Sequence, residues 1–207
     1  MITQSIRFVV VLVAVILLTS CGRLLMPTVD RVLGDLPAGN YQLDPHHTAV
    51  LFKIDHLGIS SFVGRFNRSE ASLQYDADQP EKSRFSARVY MDSLDVGNGD
   101  FSDTLMSCSW LCAENFPAAE FTATSDATVE GNRLIFPGEL SFHGQTRAQT
   151  MVVDIRGGAN NVLTGYYSIG VDARLSFKRS DFGVNNYIPL VGDQVAIEVY
   201  TEFLRDK

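Results

Sequence analysis

The chain has 207 residues, of which 24 are acidic and 17 are basic, and its formal net charge at pH 7 is −7. This length fits one or two domains, and nothing inside the sequence marks a boundary between two. The acidic balance argues against nucleic-acid binding, which needs a basic stripe on the protein surface.

The first 20 residues predict a secretory signal peptide. Arg7 gives a weakly basic start, and eleven uninterrupted apolar residues follow from Phe8 to Leu18. A membrane-spanning helix needs about 20 such residues, whereas this shorter run suits the apolar region of a secretory signal. The sequence therefore predicts an exported protein.

The segment Leu18-Thr19-Ser20-Cys21 resembles the lipobox of bacterial lipoproteins. A thiolate is a strong nucleophile that can take a lipid group, so the resemblance implies cleavage before Cys21 and attachment of several acyl chains there. The alternative is an uncleaved signal anchor with an incidental cysteine. Gly22 stands where an aspartate would favour inner-membrane retention in some Gram-negative bacteria, so we expect the periplasmic face of the outer membrane.

The chain that follows the predicted signal divides into two parts. Removing residues 1–20 leaves 187 residues (207 − 20) with 16 basic and 24 acidic side chains, a balance of −8. Residues 21–38 include Pro27 and Pro37 and are predicted to form a tether. Residues 39–207 are predicted to be a single folded domain.

The stretch from Tyr41 to Phe66 predicts two strands joined by a turn at Leu57–Ser60. Side chains alternate across a strand, so the first strand has one apolar face and one mixed, wetter face. The apolar phase of that strand comprises Val50, Phe52, Ile54 and His56.

Later segments repeat this alternation and predict an all-β protein. The further predicted strands are Ala71–Tyr75, Phe85–Met91, Phe121–Ala123, Leu134–Phe142, Met151–Ile155, Tyr167–Phe177 and Val195–Phe203. Phe101–Cys112 has helical spacing instead, and Gly157–Asn161 is predicted to be a loop. Since helices do not alternate with strands, we favour an antiparallel barrel of about eight strands with one inserted helix, with an immunoglobulin-like sandwich as the runner-up.

Several motifs, taken in order, resemble the YceI family of lipocalin-like periplasmic polyisoprenoid-binding domains. They are Tyr41-x-Leu43-Asp44-Pro45-x-His47, Phe52-x-Ile54-x-His56, Gly64-x-Phe66, Phe116-Pro117-x-Ala119-x-Phe121, Gly138-x-Leu140-x-Phe142-His143-Gly144-x-Thr146 and Arg179-Ser180-Asp181-Phe182-Gly183. The resemblance covers about Gly39 to Phe203 and implies a lipocalin-like barrel that holds a long isoprenoid chain. Thr104-Leu105-Met106 departs from the family's usual His-Leu-Arg run at the helix, so no role for that histidine carries over.

The resemblance makes the inward-facing side chains of the barrel candidate contacts for a lipid tail. Ordinary core packing is the alternative for each of them, because alternation alone does not distinguish a filled barrel from a hollow one. His56 continues an inward phase and is a candidate polar contact for a ligand head group, or else a satisfied buried histidine. The apolar candidates are Phe52, Ile54, Phe85, Val89, Leu140, Phe142, Ile169, Val171 and Phe177.

The remaining reactive side chains predict neither a metal site nor catalysis. The four histidines have no metal-binding spacing, so we expect no metal or cofactor. Arg179 and Asp181 are expected to pair or to hold their loop closed. Cys108 and Cys112 are expected to be buried thiols on the inner face of the helix, with a disulfide as the alternative.

These observations predict a lipid-anchored envelope protein that binds a polyisoprenoid or isoprenoid-quinone-like lipid inside its barrel. No P-loop, dinucleotide-binding turn or nucleophile elbow is present, so we expect that it is not an enzyme. The main alternative is a packed-barrel interaction or stress-response lipoprotein without a bound lipid. A third possibility, an enzyme acting on a lipid, would require a polar cluster at the barrel mouth near His56.

Overall fold

The computed structural model describes residues 27–207. The predicted signal peptide, Cys21 and the first part of the predicted tether lie outside the described residues. The strands are β1 (Gly39–Leu43), β2 (Ala49–His56), β3 (Ser60–Phe66), β4 (Ser69–Tyr75), β5 (Arg84–Tyr90), β6 (Leu94–Asp95), β7 (Ala118–Ala123), β8 (Thr128–Glu130), β9 (Arg133–Phe142), β10 (Gln145–Asn160), β11 (Tyr167–Lys178) and β12 (Val191–Arg205). One α-helix, α1 (Gly99–Met106), lies between β6 and β7.

Eight of these strands close into an antiparallel barrel. The order around the ring is β1-β4-β5-β7-β9-β10-β11-β12, and β12 pairs back onto β1. The earlier part of β12, from Val191 to Tyr200, pairs with β2 instead of β1, and the sheet continues from β2 through β3 to β6. The short strand β8 pairs with β9. The predicted barrel is therefore confirmed. The immunoglobulin-like sandwich is wrong, because a ring of paired strands has no two separate sheets.

The alternation predicted for β9 shows why one face of each strand turns towards the barrel interior. Leu134, Phe136, Gly138, Leu140 and Phe142 are all buried, and the residues that alternate with them are more exposed. Each inward side chain leaves water while its neighbour stays on the outer surface, so only one register keeps the apolar set inside.

The strand β10 is longer than the sequence predicted, because the expected loop at Gly157–Asn161 is mostly strand. The register shifts between Ile155 and Gly157, and pairing with β11 then continues to Asn160. Gly157 has a φ of 138°, and a Cβ there would lie 2.7 Å from Val29 Cγ1. Because Gly157 has no side chain, the N-terminal segment can approach it closely. The glycine therefore marks this contact and not a loop.

Residues 29–38, which we call the N-terminal plug, pack against this end of the barrel. Asp30 and Gly158 exchange two backbone hydrogen bonds of 2.7 and 2.8 Å, and Leu33 and Leu36 are buried. The prediction of a tether to residue 38 is therefore wrong for this described part. Proline and glycine indicated a loose chain, but the apolar leucines find a place in the barrel core.

Tyrosine hydroxyl groups hold the N-terminal plug in place. Tyr75 donates to the Leu33 carbonyl at 2.6 Å, Tyr41 donates to the Pro37 carbonyl at 2.6 Å, and Tyr167 donates to Asp30 Oδ2 at 2.7 Å. Burial raises the pKa of Tyr41 and of Tyr75 to about 12, so both hydroxyls remain donors at neutral pH.

The helix α1 ends six residues before the predicted end at Cys112 (112 − 106). Asn98 Oδ1 caps its start by accepting from the Phe101 N–H at 3.0 Å. Ser107 is extended, and its hydroxyl donates to the Thr104 carbonyl at 2.7 Å, so the chain leaves the helix there. Among residues 27–207, no helix is long and apolar enough to cross a membrane.

The turn after α1 carries a disulfide between Cys108 and Cys112. Cys108 is exposed and Cys112 is buried. The expectation of two buried thiols on the helix is therefore wrong. It assumed that both cysteines lie on a regular helix, whereas the helix ends at Met106 and the following turn brings the two sulfur atoms together.

Candidate functional site

One half of the barrel interior is packed solid with aromatic and aliphatic side chains. The ring centroid of Phe85 lies 5.6 Å from that of Phe136 and 6.4 Å from that of Phe203. Ile169 and Val171 of β11 are fully buried in the same half. Phe85, Ile169 and Val171 were predicted as ligand contacts, but they fill this packed half and do not line the cavity.

The other half of the barrel contains a cavity of about 740 Å³. This volume falls within the range of about 300–1,000 Å³ that is usual for ligand pockets. A barrel packed solid throughout is therefore wrong for the described residues. The wall includes seven of the ten predicted contacts, which are Phe52, Ile54, His56, Val89, Leu140, Phe142 and Phe177.

The wall of the cavity is almost entirely apolar because it collects the inward faces of many strands. Its remaining strand contacts include Val50, Ala87, Ala119, Phe121, Met151, Leu175, Val195, Ile197 and Val199. Gly64 of β3 makes room for the wall, since a Cβ there would lie 2.6 Å from Phe52 Cζ. Such a surface offers a ligand hydrophobic contact and few hydrogen bonds.

The cavity opens to solvent at one end, at a set of side chains that sequence reasoning did not select as contacts. Leu57, Phe101, Tyr187 and Leu190 line the cavity and are also 43% to 65% exposed, so they stand where the cavity opens. Trp110, in the disulfide turn, lines it too and stacks on Tyr187 with ring centroids 5.6 Å apart. We call these five side chains the mouth rim.

Only part of the mouth rim left a signal in the sequence. Phe101 was recognised as part of the apolar face of a helix, but helical spacing does not indicate what that face covers. Leu57 and Leu190 sit in turns that come together through a hydrogen bond of 2.7 Å between the Leu57 N–H and the Leu190 carbonyl. No sequence period predicts a contact between residues so distant in the chain.

Arg179 fixes the loop that carries Tyr187 and Leu190. Its guanidinium group is buried and donates to four backbone carbonyl oxygens at 2.8 to 2.9 Å, those of Val184, Asn186, Val191 and Gly192. Burial lowers the pKa of Arg179 by disfavouring its charged form. The expected loop-holding role of Arg179 is thus present, and it acts through backbone carbonyls.

The acidic partner in this loop is not the one that the sequence suggested. Asp193, and not Asp181, receives hydrogen bonds from the backbone N–H and the hydroxyl of Ser180, at 2.9 and 2.8 Å. Burial works against its charge, but these bonds keep the pKa of Asp193 below its usual value. The loop therefore has a fixed shape at the mouth.

A few polar groups stand beside the mouth. His56, Ser60 and Ser61 line the cavity where β2 turns into β3, and His56 is exposed there. His47 and His143 are engaged elsewhere, with Asp44 Oδ2 at 2.7 Å and the Phe182 carbonyl at 3.0 Å respectively. Within residues 27–207, no group of three or more His, Cys, Asp or Glu side chains could hold a metal ion.

The family assignment follows from a match between residues 41–203 and the model of the YceI-like domain. The chain belongs to the YceI family. A UPF0312 protein of Shewanella denitrificans is 27% identical over 184 residues, covering 88% of this chain and 93% of the relative. Protein YceI of Salmonella arizonae is 26% identical over 176 residues, covering 84% of this chain and 91% of the relative.

Solved structures of other bacterial proteins share this fold. BcnA of Burkholderia cenocepacia superposes with a TM-score of 0.69 at 21% identity, covering 77% of this chain and 98% of BcnA. A polyisoprenoid-binding domain of Saccharophagus degradans superposes with a TM-score of 0.60 at 13% identity, covering 82% of this chain and 100% of that domain. At these identities the likeness establishes the fold.

Proposed function

We propose that this YceI-like protein is a lipid-anchored bacterial envelope protein that carries an isoprenoid lipid with its tail inside the barrel. The observation that carries the proposal is the apolar cavity of about 740 Å³, open at the mouth rim and closed by the packed half. The likeness in fold to a polyisoprenoid-binding domain supports the choice of an isoprenoid tail.

The shape of the cavity favours entry of the tail first. Each Å² of apolar surface that leaves water contributes about 25 cal/mol, so an apolar chain gains most by filling the cavity down to the packed half. A polar head group then remains at the mouth, where His56, Ser60 and Ser61 offer hydrogen-bonding groups. The aromatic side chains of the mouth rim would cover the first part of the tail.

The anchoring part of the proposal rests on the N-terminal sequence. Leu18-Thr19-Ser20-Cys21 follows an apolar run of signal-peptide length, and acylation of Cys21 would attach the protein to a membrane. Gly22 after the cysteine supports the outer membrane. A periplasmic location also suits a protein with a disulfide, since disulfides persist in oxidising compartments.

Solvent extraction of the purified full-length protein tests the proposed ligand. Expression in a host rich in prenyl lipids, followed by mass spectrometry of the extract, should recover a prenyl lipid in a fixed ratio to protein. An empty protein that also takes up no prenyl lipid on addition would refute the proposal. Mass measurement of the intact protein separately reports whether Cys21 is acylated.

A matched pair of variants on β7 links the bound lipid to the cavity. Ala119 lines the cavity, whereas its neighbour Ala118 lies on the opposite face of the strand. Ala119→Phe should weaken prenyl-lipid binding by roughly tenfold, which corresponds to about 1.4 kcal/mol of affinity, and should lower the lipid content when lipid is limiting. Ala118→Phe should leave the lipid content unchanged. Equal lipid content in the two variants would place the ligand outside this cavity.

A further inference from the structure

We propose that the closed end of the barrel, where residues 161–166 join β10 to β11, lies on the membrane that holds the N-terminal anchor. The cavity mouth then faces away from that membrane. The inference rests on the anchoring part of the proposed function. It adds an interaction surface, a lipid bilayer as the partner, and an orientation for the ligand site.

The closed end presents an exposed apolar tip. The loop between β10 and β11 carries Val162 and Leu163, which are 65% and 92% exposed. The loop is ordered by hydrogen bonds, because Asn161 Oδ1 accepts from the N–H groups of Leu163 and Thr164 at 3.0 and 3.3 Å. This hydrogen-bonded turn thus exposes two aliphatic side chains to water. Exposure of apolar surface is unfavourable, and contact with a lipid surface would remove it.

The chain that leads to the anchor leaves the barrel at this same end. Asp30 pairs with Gly158, three residues before the loop begins at Asn161 (161 − 158). Val29 and Val32 in the adjoining N-terminal segment are also exposed, at 42% and 59%. Four exposed aliphatic side chains therefore lie on the two segments that the pairing of Asp30 with Gly158 brings to this end, from which the chain continues towards Cys21.

The length of the connecting chain favours the same orientation. Nine residue steps separate Cys21 from Asp30 (30 − 21), which reach on average about 17 Å and at full extension about 30 Å. From Tyr167 at the closed end to Phe177 in the cavity wall there are ten steps (177 − 167) along β11. At about 3.3 Å per residue and a tilt of about 40°, this is about 25 Å along the barrel axis.

Placing the mouth on the anchoring membrane would therefore require the connection to run beside the barrel almost fully extended. Placing the closed end there needs no extension and also buries Val162 and Leu163. Because Leu57, Ile59 and Leu190 are exposed at the mouth as well, it is the length of the connection that distinguishes the two ends.

Charges of both signs lie at the closed end, since Lys207 Nζ is 4.5 Å from the centroid of the Tyr166 ring and Asp30 Oδ2 accepts from the Tyr167 hydroxyl. The expected contact is therefore apolar and does not require anionic lipid.

Fluorescent reporters at the two ends of the barrel test the orientation. Leu163 and Ile59 are the exposed aliphatic tips of the closed end and of the β2–β3 turn beside the mouth, at 92% and 81% exposure. Leu163→Cys and Ile59→Cys are introduced separately into the full-length lipidated chain and labelled with an environment-sensitive dye. Cys108 and Cys112 are paired in a disulfide and do not compete for the reagent. The proteins are placed in phosphatidylcholine vesicles that contain head-group spin-labelled lipid.

The label at position 163 should show a blue shift and several-fold stronger quenching than the label at position 59. Val32→Cys, a second reporter on the closed end, should behave like position 163. Equal quenching at both ends, or stronger quenching at position 59, would overturn the orientation. If the protein does not stay with the vesicles, the anchor fails and the orientation with it. Quenching as expected in a protein without extractable lipid would overturn the proposed ligand and leave the orientation standing.

Discussion

Asp44 and His47 form a hydrogen-bonded pair at the entrance to β2. Asp44 Oδ1 accepts from the His46 N–H at 2.9 Å, and Asp44 Oδ2 lies 2.7 Å from His47 Nδ1. The hydrogen bond to Asp44 raises the pKa of His47 above its usual value of 6.5. Burial acts to raise the pKa of Asp44, but the bonds from His47 and His46 outweigh it and lower that pKa below 3.8.

This pair predicts a pH-dependent contribution to stability. The His47 contribution is complete below pH 6.5 and disappears as the pH rises through the raised pKa of the folded protein. The Asp44 contribution is complete above pH 3.8 and disappears as the pH falls through its lowered pKa. His47→Gln should therefore lower the melting temperature most between these two values and least at pH 9.

The neighbouring histidine is the control for this prediction. The His46 backbone, and not its ring, bonds to Asp44, so His46→Gln should have a small effect at every pH. Thermal unfolding followed by circular dichroism from pH 4 to pH 9 measures both variants. A His47→Gln loss that is the same at all pH values would show that the pair acts through packing rather than charge.

At the scale of the elements, the N-terminal plug is held to the barrel by few but specific contacts. The Tyr75 hydroxyl is buried against the Leu33 carbonyl, so Tyr75→Phe leaves that carbonyl without its donor. Loss of one partner of a buried hydrogen bond costs about 1–3 kcal/mol. We expect faster amide exchange for Leu33 to Leu36 in this variant, while the barrel strands stay protected.

An exposed tyrosine provides the matched comparison for the plug. Tyr200 is 46% exposed and bonds only to the neighbouring Glu198 side chain, so Tyr200→Phe should leave exchange in the plug unchanged. Hydrogen–deuterium exchange read by mass spectrometry compares the two variants. Protection of the plug that is equal in both would mean that the buried leucines alone hold it.

At the scale of the whole molecule, the half of the barrel that is packed solid is distinct from the half that has room for a ligand. The packed half fills its interior with fully buried side chains such as Phe136, whereas the other half leaves space beside Phe52. Phe136→Ala should cost about 3–5 kcal/mol, because it removes apolar contacts and leaves a new cavity. Phe52→Ala should cost clearly less, because its ring already borders an existing cavity and is only partly buried.

Urea unfolding of the two variants in lipid-free protein measures this difference. A bound ligand would stabilise the folded state in proportion to its occupancy and mask part of the loss, so the lipid must be removed first. Similar losses in the free energy of unfolding for Phe136→Ala and Phe52→Ala would mean that the two halves contribute equally to stability, contrary to this division.

The sequence by itself determined which side chains point inward. Alternation in β9 and β11 predicted Leu134, Phe142 and Phe177 correctly, because a period of two follows from strand geometry alone. The motifs around His56 and Arg179 also indicated the family, which the match over residues 41–203 establishes. These features are local, so the sequence carries them without knowledge of the pairing.

Only the tertiary structure decided which inward side chains face empty space. Phe52 and Phe85 look alike in the sequence, but Phe85 meets Phe136 and Phe203 from distant strands while Phe52 borders the cavity. The same holds for Gly157, which permits the plug to approach rather than forming a loop. Packing depends on which strands meet and in what register, and strand alternation is the same whether the space beyond a side chain is filled or empty.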